Sequence, residues 1–128
     1  MIDDKQVKIM IADDDAGIVD AIEMILDYKG YQVSTATENT FDRITEERPD
    51  VLLLDIWMSG EDGIEVCKAL KNQESTRTIP VIMISASKDV GNSALRAGAD
   101  DFVSKPFEMK DLITKIESFL PERKVYKD

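Results

Sequence analysis

Residues 7–26 read VKIMIADDDAGIVDAIEMIL, and this stretch decides the fold. Val7 to Ala12 is an apolar, largely β-branched block interrupted only by Lys8, and it stops at Asp13-Asp14-Asp15. A short apolar run bounded by charge is the signature of a strand buried on both faces. Ile18, Ile22, Ile25 and Leu26 then fall at i, i+4, i+7 and i+8, which is one face of a helix. Asp15 is placed to cap that helix, and Gly30 stands where a chain leaves a helix in the left-handed conformation. A buried strand followed at once by an amphipathic helix is half of a parallel βαβ unit.

The same alternation continues outward. Tyr31 to Ala36 is half-polar and reads as an edge strand, and a weak helix from about Asn39 to Glu47 carries Phe41 and Ile44 before Pro49 closes it. Val51-Leu52-Leu53-Leu54-Asp55 is the most apolar strand and ends in a carboxylate. Ser59 to Gly63 reads as a loop, and Ile64, Cys67 and Leu70 then share a helical face. Ile79 to Ser85 is a further buried strand, with Pro80 acceptable only at its start. Lys88 to Ala97 is a short helix weakened by Gly91 and Asn92, and Gly98 breaks it. Asp101 to Ser104 is the last strand. Leu112, Ile116, Phe119 and Leu120 mark a final amphipathic helix stopped by Pro121. Five successive βα units predict an α/β domain: one five-stranded parallel sheet with helices on both faces.

With 128 residues, one domain over 1–121 is expected, with 122–128 as an exposed C-terminal tail or linker stub. Only eight residues follow Leu120, so no output domain is expected in this chain. No charge-free run exceeds the ten residues from Thr78 to Ser87, which is too short to span a bilayer. The acidic start MIDDKQVKIM is not a secretory signal. One cysteine excludes an internal disulfide and a multi-cysteine zinc site, and points to a reduced, cytoplasmic compartment. The absence of histidine excludes a Ser-His-Asp hydrolase, a His-ligated metal and a phosphohistidine on this chain. A net charge of −10 disfavours direct nucleic-acid binding, where phosphate contacts dominate affinity.

Ligands of such sheets lie beyond the carboxyl ends of the strands, where the strand order reverses. Those ends carry Asp13 and Asp14, Asp55, Ser85 and Lys105. Three carboxylates on one rim repel, which raises their pKa values or calls for a cation. Oxygen donors with room for water suit Mg²⁺. A metal, an ammonium and a hydroxyl around one carboxylate form a cradle for a phosphoryl group, whose transfer needs mainly positioning and charge neutralisation. The carboxylate itself can be the acceptor, as an acyl phosphate.

IMIADDD, LLLDIWMSGEDG, VIMISAS and GADDFVSKPF together resemble the receiver domain of two-component response regulators, over about residues 7–120. The resemblance implies the flavodoxin-like strand order 2-1-3-4-5. It implies that Asp55 is the phosphoacceptor, and that Asp13 and Asp14 hold Mg²⁺ together with Asp55 and the backbone carbonyl of Trp57. Ser85 then bonds a phosphoryl oxygen, Lys105 pairs with the phosphoryl group, and Phe102 is the switch aromatic. The Lys105–Pro106 peptide is expected to be cis. The implied phosphodonor is a histidine kinase or a phosphotransfer protein, and the output is a protein partner on the face formed by residues 88–120, with neither nucleic acid nor membrane involved. Ser59 departs from the family's usual Pro, Trp57 is unusually large for its position, and Phe102 lacks a hydroxyl.

Plainer readings stand beside these. Asp15 is a helix-terminal acid, Cys67 is core packing, Asp55 alone would pass for a strand-end turn residue, and Ser85 for a helix cap. The Trp57 ring either shields the site or folds onto its own loop. Two other functions compete with this one. A Mg²⁺-dependent phosphatase with an aspartyl nucleophile would carry a second Asp where Trp57 stands. A flavodoxin-like cofactor binder would need a phosphate loop where Asp13-Asp14-Asp15 would repel phosphate.

Overall fold

The computed structural model describes residues 6–58, 60–86 and 88–120, with backbone alone for 88–91. Ser59 and the tail from residue 121 onward, both of which carried expectations above, lie outside the described residues. The elements run β1 (Lys8–Ala12), α1 (Ala16–Tyr28), β2 (Gln32–Ala36), α2 (Thr40–Glu47), β3 (Val51–Asp55), β4 (Trp57–Met58), β5 (Glu61–Asp62), α3 (Gly63–Lys71), β6 (Val81–Ser85), α4 (Lys88–Arg96), β7 (Asp101–Ser104) and α5 (Met109–Ser118). Five strands form one parallel sheet in the order β2-β1-β3-β6-β7, which is the expected 2-1-3-4-5 order of the five sheet strands. The half-polar β2 is an edge strand, as its composition requires.

Alternation along each strand builds two cores. Met10, Ala12, Leu52, Leu54, Val81 and Met83 face one way and pack with Ile44 of α2, Cys67 and Leu70 of α3 and Ala94 of α4. Ile9, Ile11, Val51, Leu53, Ile82, Ile84 and Val103 face the other way and pack with Val19, Ile22 and Leu26 of α1 and Leu112, Ile113 and Ile116 of α5. Every residue of β3 and β6 is buried, so these central strands cannot slip without placing their whole apolar set on the wrong side. None of the described helices is long and apolar enough to cross a membrane.

Local chemistry sets the ends. Asp15 accepts hydrogen bonds from the N–H groups of Gly17 (3.1 Å) and Ile18 (3.2 Å), capping α1. Gly30 leaves that helix with φ +94°, a conformation open to glycine without strain. The segment after β3 departs from the expected loop. Trp57–Met58 and Glu61–Asp62 pair antiparallel in a two-residue hairpin, and Gly63 is already the first residue of α3. The pairing is completed by the Gly63 N–H donating to the Ile56 carbonyl (2.8 Å), a bond that composition does not reveal. The final helix ends at Ser118. Phe119 and Leu120 follow it in a tight turn, their N–H groups reaching Ile116 and Glu117 carbonyls three residues back.

Arg48 closes α2 at φ +50°, a left-handed conformation that costs an L-residue with a Cβ about 1–2 kcal/mol. Its side chain is exposed. Arg48→Gly should therefore stabilise the protein by about 0.5–1 kcal/mol, after the greater chain entropy of unfolded glycine is subtracted. Urea unfolding measures this, and a lower midpoint for the variant would contradict it.

Candidate functional site

The carboxyl ends of β1, β3, β6 and β7 converge where the strand order reverses between β1 and β3. Carboxylate oxygens of Asp13, Asp14 and Asp55 all lie within 4.8 Å of one another. Asp13 and Asp55 are buried, at 1% and 6% exposure, while Asp14 faces solvent. Lys105 follows β7, and its Nζ stands 3.6 Å from Asp13 Oδ2. The Lys105 N–H donates to the Ser85 carbonyl (2.7 Å), which locks the end of β7 to the end of β6. Ser85, 1% exposed, ends β6 on the rim. The Lys105–Pro106 peptide is cis, as expected.

The two buried acids are placed by main chain. Asp13 Oδ1 accepts the Asp15 N–H (2.9 Å), and Asp55 Oδ1 accepts the Trp57 N–H (3.3 Å). Asp13 Oδ2 is the one buried side-chain oxygen among the described residues without a hydrogen bond. It stands 3.6 Å from the Lys105 ammonium, beyond hydrogen-bond distance. A buried acceptor left in this way costs about 1–3 kcal/mol unless something completes it. The three clustered acids supply hard oxygen donors, one of them orphaned and one open to water, which is a donor set suited to Mg²⁺.

Burial pushes the Asp55 carboxyl up to about 6, with the Asp13 charge adding to the rise. The Lys105 charge and the Trp57 N–H offset part of it, and a carboxyl–carboxyl hydrogen bond with Asp13 favours the protonated form further. Cys67, by contrast, is buried in apolar packing, and burial pushes its thiol up to about 11, so it is core rather than a reactive group.

Phe102 and Trp57 complete the expected set. Phe102 is not on the rim. It lies within β7 opposite Met83, half-buried against the α2–α4 core. Trp57 touches the site through its main chain, while its side chain is 67% exposed. Gly63 was not singled out by sequence. A Cβ there would come within 2.2 Å of the Asp55 carbonyl oxygen, so glycine is what lets α3 begin against the Asp55 backbone. Glu61 and Thr40 also went unnoticed. Thr40 is wholly buried and donates both its hydroxyl and its N–H to the Glu61 carboxylate (2.5 and 3.3 Å). The Asp62-Gly63 pair was a legible helix-start signal, but nothing local marks a bond across 21 residues.

A doubly wound parallel sheet with an acid cluster and a lysine at its switch point defines a signalling receiver fold. The response regulator receiver domain family matches residues 9–117, and the chain belongs to that family. It is similar to the receiver domain of NtrX from Brucella abortus (33% identity, TM-score 0.78), covering 87% of this chain and 96% of that one. It is also similar to a Francisella response-regulator receiver domain (30% identity, TM-score 0.81; 89% and 96% covered). A third is the signal receiver domain of a Syntrophus aciditrophicus signal transduction histidine kinase (29% identity, TM-score 0.80; 88% and 89% covered).

The raised Asp55 pKa has a definite sign in stability. The folded state keeps its proton to about pH 6, whereas the unfolded chain releases it near 3.8. Between those values the native state holds more protons, so stability falls as pH rises from about 4 to 6 and then levels. The whole displacement corresponds to about 3 kcal/mol. Metal-free Asp55→Asn should lose this slope and be more stable than the parent at pH 7 by about 2–3 kcal/mol. Urea unfolding between pH 4 and 7 tests it, and equal slopes for the two proteins would contradict it.

Proposed function

We propose that Asp55 accepts a phosphoryl group from the phosphohistidine of a histidine kinase or phosphotransfer protein, and that this charge switches a protein-interaction face. The carrying observation is the convergence of Asp13, Asp14 and Asp55 within 4.8 Å, with the Lys105 ammonium 3.6 Å from Asp13. An Asp55 oxygen attacks phosphorus, the phosphorus–nitrogen bond breaks, and the donor imidazole departs, picking up a proton from solvent. The product is an aspartyl phosphate. With a pKa of about 6, Asp55 is mostly ionised at pH 7 and available as nucleophile.

Asp13, Asp14, Asp55 and the Trp57 carbonyl would hold Mg²⁺. The ion supplies positive charge against the phosphoryl oxygens during transfer. Lys105 exchanges its ion pair with Asp13 for one with the phosphoryl group, and Ser85 hydrogen-bonds a phosphoryl oxygen. Phe102, half-buried on the edge strand beside α4, follows Ser85 by repacking. The output partner docks on residues 88–120, where Leu95 is 44% exposed. Slow loss of the phosphoryl group to water returns the domain to rest. The receiver domain spans 1–121, with 122–128 as tail or linker, and the cytoplasm is its compartment.

Incubation with acetyl phosphate and Mg²⁺, followed by intact mass measurement, should give a single phosphoryl adduct that Asp55→Asn does not form. An undiminished adduct in that variant would move the acceptor elsewhere.

Mg²⁺ should also raise the melting temperature. A ligand bound only by the native state adds about 2.7 kcal/mol at a hundred-fold excess over Kd. Asp13→Ala should abolish the gain, and a shift that survives in both Asp13→Ala and Asp14→Ala would remove the metal assignment.

A further inference from the structure

We infer that Glu61 and Thr40 form a tether that positions the main chain of Trp57 at the metal site, so that breaking it weakens Mg²⁺ binding without touching a ligand. The inference rests on the proposed metal site.

The hairpin that carries Trp57 has only two residues on each side: Trp57 pairs with Asp62, and Met58 with Glu61. So short a ribbon does not hold itself. One end is secured, because Gly63 N–H donates to the Ile56 carbonyl and α3 begins there. The strand holding Glu61 has a second attachment, across to α2. The Thr40 hydroxyl donates to Glu61 Oε1 (2.5 Å) and the Thr40 N–H to Oε2 (3.3 Å). Both donors come from a residue with no exposure to solvent, so water cannot readily replace either bond.

This arrangement exceeds what α2 needs for its own end. Asn39, in the usual capping position, sits at φ +53° and makes no side-chain cap. The cap comes instead from a carboxylate 21 residues downstream, on the hairpin. The effect is to clamp the hairpin between α2 and the Asp55–Ile56 main chain. Trp57 lies between those two anchors, with its N–H on Asp55 Oδ1 and its carbonyl proposed for the metal. Glu61 and Thr40 are therefore positioning residues: neither is among the clustered acids, and each acts through the hairpin.

Thr40→Val is the discriminating variant, because it removes the hydroxyl at nearly constant shape and leaves the Glu61 charge in place. Mg²⁺ titrations followed by Trp57 emission, and separately by melting shift, should show affinity reduced about five- to ten-fold, which is about 1–1.4 kcal/mol. Thr40→Ser, which keeps the hydroxyl, should bind within two-fold of the parent. If Thr40→Val does not fold, Glu61→Gln compared with Glu65→Gln asks the same question. Each drops one carboxylate, and only the first disturbs the tether, so Glu61→Gln should bind more weakly. A lower metal-free melting temperature with unchanged Mg²⁺ affinity in Thr40→Val would make the bond a helix cap only and overturn the inference, as would equal affinities for the two Gln variants. Asp13→Ala separates the two levels. Saturable binding by the parent that is lost in Asp13→Ala, with Thr40→Val unaffected, removes the tether alone. A parent that shows no saturable binding removes the metal site and the tether together.

Discussion

Two carboxyl groups held almost out of water beside one another, Asp13 and Asp55, are the interaction on which the rest depends. Like charges in a poorly hydrated site repel strongly, and a single ammonium at 3.6 Å from one of them offsets this only in part. The consequence is visible in the Asp55 carboxyl, which titrates near 6, and in Asp13 Oδ2, which is buried without a hydrogen bond. Such a site is maintained against its own electrostatics. The surrounding sheet makes that possible, because β3 and β6 are buried along their whole length and cannot yield at one end without unpacking both cores.

The same tension makes the rim responsive. A site short of positive charge gains from any cation or cationic contact that enters. The elements able to respond differ in firmness. Ser85 and Lys105 are tied to each other through main chain at the ends of neighbouring strands, so a pull on one is felt by the other. Phe102 lies on the outermost strand, half-buried, where repacking disturbs one core and not two. The hairpin after Asp55 is short, and it is attached to Ile56 through Gly63 and to Thr40 through Glu61.

The exposed Trp57 side chain shows why position along the chain is not the same as role. Two residues from the acid, it contributes its main chain to the site and its indole to the surface. Alternation along even a two-residue strand sends the side chain outward while the N–H turns toward Asp55. That leaves a large aromatic in contact with water two residues along the chain from Asp55.

Sequence by itself determined the strands, their helices and the order in which acids, hydroxyl and lysine come to strand ends. Those properties are written in short-range patterns: an apolar run such as Val51–Leu54, a helical period such as Ile18–Ile22–Leu26, a capping Asp15, a terminating Gly30. The resemblance carried by four motifs added the strand order and the cis peptide before Pro106. Only the tertiary structure decided the hairpin of Trp57–Met58 with Glu61–Asp62, the left-handed turns at Asn39 and Arg48, the requirement for glycine at 63, and the bond from Thr40 to Glu61. It also decided how far Asp55 is pushed from its ordinary acidity. The Thr40–Glu61 bond and the setting of Asp55 beside Asp13 and Lys105 depend on groups distant in the chain that folding brings within a few ångströms, and no local pattern of residue types encodes that distance.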